Sequence, residues 1–274
     1  MTVQAEAFHR LHQSGCFVIP NPFDAGSARL LAALGFKAVA TSSAGFAWSI
    51  GCRDNAVSLD EVLGHLRAIA ASVEIPVNAD FEDGFATDAA GVARNVTAAV
   101  ATGIAGLSIE DSTGDAERPL LDRTLAVERI AAARAAIDTS GTRALLTARS
   151  EGFIAGRPDL KETIDRLVAY ADAGADCLFA PGLRSREDIA AVVRAVAPKP
   201  VNVLVSTDFI TVAELASLGV RRISVGGALA RTAWTGFLAA AREIAEHGTF
   251  GALGRAISTP DMNKLFDATG RHHQ

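Results

Sequence analysis

Residues 76–111 read PVNADFEDGFATDAAGVARNVTAAVATGIAGLSIED. An apolar run at 76–81 leads into an Ala/Val-rich stretch of helical period at 89–102. Gly103 closes that stretch, and a second apolar run follows at 106–111. This is a strand–helix–strand unit, and two strands joined through a helix lie parallel. The same rhythm continues outward in both directions. Short β-rich runs fall at 16–20, 38–42, 143–149, 177–181, 200–205 and 221–226, which makes eight with the central pair. Helical patterns follow at 26–34, 59–72, 124–138, 160–173, 186–196, 212–217 and 228–247. Ser58 and Asp159 stand at helix starts as side-chain caps. Gly35, Gly103, Gly174 and Gly219 end helices just before the next strand.

Apolar strands followed by helices predict a parallel sheet covered on its outer face. Eight such units predict a closed (β/α)8 barrel of the TIM type. A doubly wound open sheet is the competing arrangement. It would more often carry a Gly-rich fingerprint after its first strand, where this chain has Asn21-Pro22-Phe23-Asp24-Ala25-Gly26. No linker or low-complexity stretch divides the 274 residues, so a single domain over 1–274 is expected, with the barrel at about 15–247 and a C-terminal extension at 248–274. The extension includes a short helical stretch at 261–268.

Composition narrows the function. Apolar residues make up 49% and charged residues 21%, with a net charge of −5. That hydrophobicity excludes a disordered chain, and the mild acidity argues against a nucleic-acid partner. No apolar run approaches the roughly 18 residues of a membrane span, and residues 1–15 lack the apolar core of a signal peptide. Cys16, Cys52 and Cys177 lie far apart, which fits neither a zinc site nor a disulfide framework and suits the cytoplasm.

Chemistry in such a barrel sits where strands end. Asp80 and Glu110 close two neighbouring apolar strands. Two carboxylates converging on one mouth need a positive charge between them, and a hard divalent cation such as Mg²⁺, with Mn²⁺ as substitute, satisfies them. Helix capping or pairing with surface arginine is the bland reading of either residue alone. Arg149, after Leu145-Leu146-Thr147-Ala148, suits a two-pronged grip on a substrate carboxylate, or else a salt bridge to Glu110 or Glu151. Ser43, Ala44 and Gly45 in the turn after strand two offer hydroxyl and backbone donors. Asn202 near the end of strand seven is a further candidate for binding substrate. Gly226-Gly227 could seat a phosphate or simply make a tight strand-to-helix turn. His9, His12, His65, His272 and His273 are expected to be solvated, and His247 to complement a helix end. Cys52 reads as a small packed loop residue rather than a reactive thiol.

The ordered set of strand-end motifs resembles the isocitrate lyase/phosphoenolpyruvate mutase superfamily. The pieces are Asn21-Pro22-Phe23-Asp24-Ala25, Thr41-Ser42-Ser43-Ala44-Gly45, Gly51-Cys52-Arg53-Asp54-Asn55, residues 77–85, residues 106–111 and Thr147-Ala148-Arg149-Ser150-Glu151. Together they span roughly residues 18 to 230. The resemblance implies a β/α barrel whose C-terminal helix swaps onto a neighbour, giving a homodimer or homotetramer. It also implies Mg²⁺, a small α-oxo or 2-hydroxy carboxylate, and C–C or P–C bond chemistry through an enolate. By the same resemblance Asp80 and Glu110 belong to the metal site, and Ser43, Ala44 and Gly45 hold the substrate carboxylate and oxyanion. Arg149 faces the reacting substrate, and Asp54 is the loop aspartate that in the mutases is the proposed phosphoryl acceptor.

Three departures shape the expected reaction. The Asp-x-Asp metal motif of many relatives begins here with Asn78, and Glu82-Asp83 are added. The Lys-Lys-Cys-Gly-His loop of the isocitrate-type lyases is replaced by residues 112–118, which carry no cysteine. The mutases' histidine after strand six and their loop asparagine are also missing, since Ala180-Pro181-Gly182 stand there. The expected activity is therefore a Mg²⁺-dependent C–C lyase or decarboxylase. A mutase or phosphonopyruvate hydrolase, a non-catalytic barrel that binds an oxoacid, and an unrelated phosphosugar enzyme using Gly226-Gly227 are the alternatives.

Overall fold

The computed structural model describes residues 2–267; His272, His273 and the end of the stretch expected to be helical at 261–268 lie outside the described residues. Eight strands form one sheet: β1 (Phe17–Ile19), β2 (Val39–Ala40), β3 (Val77–Asp80), β4 (Gly106–Glu110), β5 (Leu145–Arg149), β6 (Cys177–Phe179), β7 (Val201–Leu204) and β8 (Arg222–Ser224). Their order is β1-β8-β7-β6-β5-β4-β3-β2, with every pairing parallel. At the remaining seam the Ala40 N–H donates to the Pro20 carbonyl at 3.0 Å, so β2 returns to the end of β1. The sheet is thus a (β/α)8 barrel, and the open-sheet alternative fails.

Eleven helices are described: α1 (Val3–Gln13), α2 (Ala25–Ala33), α3 (Ser43–Ser49), α4 (Leu59–Ser72), α5 (Ala89–Val100), α6 (Arg123–Ser140), α7 (Leu160–Asp172), α8 (Arg186–Ala195), α9 (Val212–Ser217), α10 (Ala228–His247) and α11 (Thr259–Asp267). The expected caps are in place. Ser58 Oγ accepts from the Glu61 N–H while the Glu61 carboxylate accepts from the Ser58 N–H, a reciprocal box, and Asp159 caps α7. Gly174 follows α7 at φ 105°, a conformation that a Cβ disfavours.

Two helices, α1 and α3, lie outside the sequence expectation. α1 was hidden by its polar composition, yet Ala5, Phe8 and His12 repeat at helical spacing and are buried. They plug the N-terminal end of the barrel. Phe8 packs with Ile19, Ala38, Ala40, Ala105, Leu145 and Cys177 in a core separate from the larger one between the sheet and its helices. The approach is so close that a Cβ on Gly106 would lie 2.8 Å from the Phe8 ring. With this end filled by side chains, only the C-terminal end remains for chemistry.

α10 departs from the other helices. Of its 20 residues only Ala230 is buried. Phe237, Leu238 and Ile244 are exposed on it, and Phe250, Leu253 and Ile257 are exposed just beyond. The chain then returns through α11, where Phe266 stacks under the Arg29 guanidinium of α2 at 5.7 Å.

Candidate active site

The register of β4 and β5 aligns their last residues, and β3 ends one layer lower. Glu110 is the direct neighbour of Arg149, and Asp80 pairs with Ser108 one interior layer from Glu110. Arg149 Nη1 donates to Asp80 Oδ1 at 2.7 Å and lies 3.1 Å from Glu110 Oε2, while its Nε donates to Glu151 Oε1 at 3.0 Å. The Phe179 ring covers the guanidinium at 5.3 Å. Arg149 therefore makes both salt bridges considered from sequence, to Glu110 and Glu151, and adds a third to Asp80. In the protein alone, the positive charge between the two expected metal carboxylates is this guanidinium.

One arginine does not neutralise the surrounding acids. Burial works against the Arg149 charge, but Glu110, Glu151 and Asp80 outweigh it and hold the side chain firmly protonated. Burial pushes Glu110 well above the usual carboxylate range, only partly offset by Arg149, and raises Glu151 in the same way. Glu82, in the loop after β3, is pushed up to about 8 by burial and then by Asp80, Asp54 and Asp83. Burial, followed by the Asp80 charge, also raises Asp54, whose carboxylate makes no ion pair among the described residues. The mouth thus crowds more carboxyl groups together than its one cation can keep ionised, and burial drives Glu82 and Glu110 toward the neutral acid.

Ser43, Ala44 and Gly45 form the first turn of α3, which Ser42 caps by accepting from the Gly45 N–H at 3.1 Å. Ser43 turns inward, and its N–H and hydroxyl both donate to Asp80 Oδ2, at 3.1 and 3.0 Å. The turn lies against the β3 carboxylate, which engages the Ser43 donors that the resemblance assigns to substrate. Gly45 is required by space, because a Cβ there would stand 2.9 Å from that of Phe23 and 3.2 Å from that of Ala230.

Asn202 lies deeper. Its amide donates to Ser224 Oγ at 2.9 Å, and its carbonyl accepts from Arg222 Nε at 2.9 Å. All three line a cavity of about 90 Å³ that runs from Asp80 and Arg149 down to Arg222. A second, wider cavity of about 420 Å³ lies on the acidic side, between Glu82, Asp83 and Glu110 and the loop at Ser112, Thr113 and Gly114.

Other residues were not anticipated for this site. Asn21 donates to the Thr41 carbonyl and accepts from the N–H groups of Val225 and Gly226, tying β2 to the turn after β8. That use of Gly226 favours the tight-turn reading of Gly226-Gly227. Arg129 donates to the carbonyls of Asp83 and Thr87 and so braces the loop carrying Glu82. Arginines in otherwise buried faces, at 129 and 222, were the available signal. Cys52 lines a groove with Trp48, Arg231 and Trp234, away from both cavities.

The expectation of solvated histidines fails for two of them. His12 is buried between Phe8 and Phe17, and burial lowers its pKa to about 3. His65 stacks on Phe46, and burial lowers it to about 4. Phe8 lies one turn back on the same helix as His12 and Phe17 on β1, while Phe46 of α3 reaches His65 of α4.

A closed parallel barrel with acids and an arginine gathered at adjacent strand ends is the frame of a β/α-barrel enzyme. Residues 8–245 match the phosphoenolpyruvate phosphomutase family, and the chain belongs to that family, within the isocitrate lyase/phosphoenolpyruvate mutase superfamily. An uncharacterized Mycobacterium tuberculosis protein is 35% identical over 80% of this chain and 81% of its own length. Oxaloacetate decarboxylase of Chromohalobacter salexigens is 30% identical over 80% of this chain and 77% of its own. Among solved structures, a putative lyase/mutase of Burkholderia cenocepacia superposes with a TM-score of 0.93 at 49% identity, covering 96% of both chains. A phosphonopyruvate hydrolase complexed with oxalate and Mg²⁺ superposes with a TM-score of 0.86 at 26% identity, covering 97% of this chain and 95% of that one.

Proposed function

We propose that this enzyme is a Mg²⁺-dependent lyase or decarboxylase that breaks a C–C bond of a small α-oxo or 2-hydroxy carboxylate. The observation that carries the reading is the Asp80–Arg149–Glu110 cluster beside the Ser43 amide, with Asp80 and Arg149 on the wall of the small cavity and Glu110 on that of the wider one. The similarity to an oxaloacetate decarboxylase supports the C–C assignment.

The donor set fits a hard cation. Asp80, Glu110, Glu82 and Asp83 offer only oxygen, and a bound cation would restore the ionised form that burial disfavours in Glu110 and Glu82. No three acidic, histidine or cysteine side chains among the described residues form a cage by themselves. This suits Mg²⁺, which keeps several waters and needs one or two carboxylates. Asp80 and Glu110 would hold it, and a bound Mg²⁺ supplies positive charge opposite negative charge developing on substrate oxygens.

The chain's own groups do the remaining work. The Ser43 N–H and hydroxyl, freed from Asp80, donate to a substrate carboxylate. Arg149 presents its planar donors to the same ligand, held in place by Glu151 behind and the Phe179 ring above. Ile154, Phe179, Pro181 and Leu204 form apolar wall around these donors and limit water at the reacting carbons. Asp54, at the rim, helps set the charge of the mouth. A single barrel domain is proposed to carry the activity. Turnover of oxaloacetate, 2,3-dimethylmalate and phosphonopyruvate, each with and without Mg²⁺, tests the reading. Mg²⁺-dependent loss of either of the first two supports it, and turnover of phosphonopyruvate alone replaces it with P–C chemistry.

A further inference from the structure

Two of the strand-end motifs run on past their site residue: Asp111 follows Glu110 after β4, and Glu151 lies two residues beyond Arg149 after β5. Consecutive residues of a strand point to opposite faces. Glu110 accordingly lines the wider cavity, while Asp111, 2% exposed, turns toward α7. There its Oδ2 accepts from Tyr170 Oη at 2.6 Å and from Arg166 Nη1 at 3.2 Å. Its Oδ1 accepts from the Glu151 N–H at 2.8 Å. Burial, followed by the Asp111 charge, pushes the Tyr170 phenol up and keeps it a donor.

Glu151 is itself buried, and a buried backbone N–H without an acceptor is costly. The Asp111 carboxylate supplies that acceptor, and a charged acceptor holds more strongly than a neutral one. The Glu151 side chain then takes Arg149 Nε at 3.0 Å, which leaves Nη1 for Asp80 and Glu110. A continuous line of hydrogen bonds thus runs from Tyr170 on α7 through Asp111 and Glu151 to the guanidinium at the mouth. The same clamp closes the loop after β4. Arg166 Nη1 donates to the Leu121 carbonyl at 3.0 Å, and the Leu121 N–H donates to the Asp111 carbonyl at 2.9 Å.

We propose that Asp111 is a positioning residue for Arg149. Gripped by Tyr170 and Arg166, it fixes the Glu151 backbone, and Glu151 sets the plane and direction of the guanidinium. This rests on the proposed role of Arg149 toward a substrate carboxylate and adds the residue that aims it. A misplacement of about 1 Å in such a group costs roughly 100-fold in rate, so the aim matters at the reacting atoms.

The Arg149 Nε–H, read by nitrogen-15 NMR of the ligand-free protein and assigned by its loss in Arg149→Lys, reports the guanidinium without turnover. Asp111→Asn keeps the shape but sets an amide group against the donors of Tyr170 and Arg166. It is expected to speed hydrogen exchange at Arg149 Nε at least about tenfold. The Arg222 Nε–H, bonded to Asn202 Oδ1 at 2.9 Å, serves as control and should stay within about twofold. Equal acceleration at both would mean general loosening of the fold, and no change at Arg149 would mean that Asp111 only closes the loop; either overturns the proposal. Should Asp111→Asn fail to fold, Tyr170→Phe, which removes one donor, is read in the same way, with about threefold acceleration at Arg149 expected and none overturning it. Calorimetric titration with oxalate in the presence of Mg²⁺ separates this inference from the proposed function. Asp111→Asn is expected to weaken oxalate about tenfold. Release of Arg149 with oxalate affinity unchanged would uphold the positioning and refute the proposed role of Arg149. Weakened oxalate with the Arg149 signal undisturbed would do the reverse.

Discussion

Arg149 Nη1 stands 2.7 Å from Asp80 Oδ1 and 3.1 Å from Glu110 Oε2, so one nitrogen bridges the carboxylates that end β3 and β4. Removing it leaves three buried acids facing one another. Arg149→Met is expected to cost about 3–5 kcal/mol of stability, the usual result of stripping one partner from a buried ion pair. Arg149→Lys keeps the charge but loses the fork, so it should fold while kcat/KM falls at least about 100-fold. Thermal unfolding and kinetics on both variants check this. Unchanged stability in Arg149→Met would mean that the acids are already neutral in the native state.

The crowding of carboxyl groups at the mouth predicts a requirement for metal. EDTA should abolish activity, and Mg²⁺ or Mn²⁺ should restore it. Asp80→Ala should weaken Mg²⁺ binding sharply in a calorimetric titration, since it removes a donor while leaving Glu110 in place. Full turnover in metal-free buffer is the opposing result.

His12 links stability to pH. Its unfolded pKa is 6.5 and its folded pKa about 3, lowered first by burial and then by Arg222. Above pH 6.5 the ring is neutral in both states and contributes no dependence. Below 6.5 the unfolded chain takes up a proton that the native state refuses, so stability falls by up to about 1.4 kcal/mol per pH unit until the folded pKa is reached. His65 adds a parallel loss, with its folded value at about 4. Urea midpoints at pH 7 and pH 5 should fall less for His12→Gln than for the wild type. Equal slopes would place the His12 ring in contact with water.

The reaction preference follows from what the loop after β4 lacks. Cleaving an isocitrate-like bond creates a carbanion that needs a placed acid, and the loop at 112–118 offers no group that titrates near neutrality. Decarboxylation asks less, because CO₂ leaves without a proton and water can protonate the product later. Oxaloacetate or a 3-substituted analogue should therefore exceed isocitrate and methylisocitrate in kcat/KM. Cys52→Ser should change little, since Cys52 faces the Trp48–Trp234 groove. Efficient isocitrate cleavage that disappears with Cys52 would show that this loop supplies the acid.

The exposed apolar face of α10 predicts self-association. Phe237 is 61% exposed and Phe250 63%, within one continuous segment. Covering that face with the same helix of another copy gives a dimer or tetramer, which light scattering at micromolar concentration would detect. Phe237→Asp should shift the protein toward monomer. A monomeric wild type contradicts the expectation.

The barrel was legible in the chain because strand and helix periods are local. The helices at 59–72 and 212–217 form as expected, because caps and apolar spacing lie within a few residues of each other, and the one at 228–247 forms without a side-chain cap. Asp80, Glu110 and Arg149 were legible for a related reason: a charged residue closing an apolar run marks a strand end, and strand ends in a parallel barrel converge. α1 and α3 were not, since one buries a sparse stripe only when the barrel bottom exists to receive it and the other is a short turn held by Ser42. Closure alone decided that Arg149 would sit between Asp80 and Glu110, because that geometry depends on the register of three strands. Closure also brought His12 from the first helix to Arg222 on the last strand, 210 residues apart in the chain. Burial, which no local pattern reports, then made one of them neutral and left the other a cation without a counter-charge.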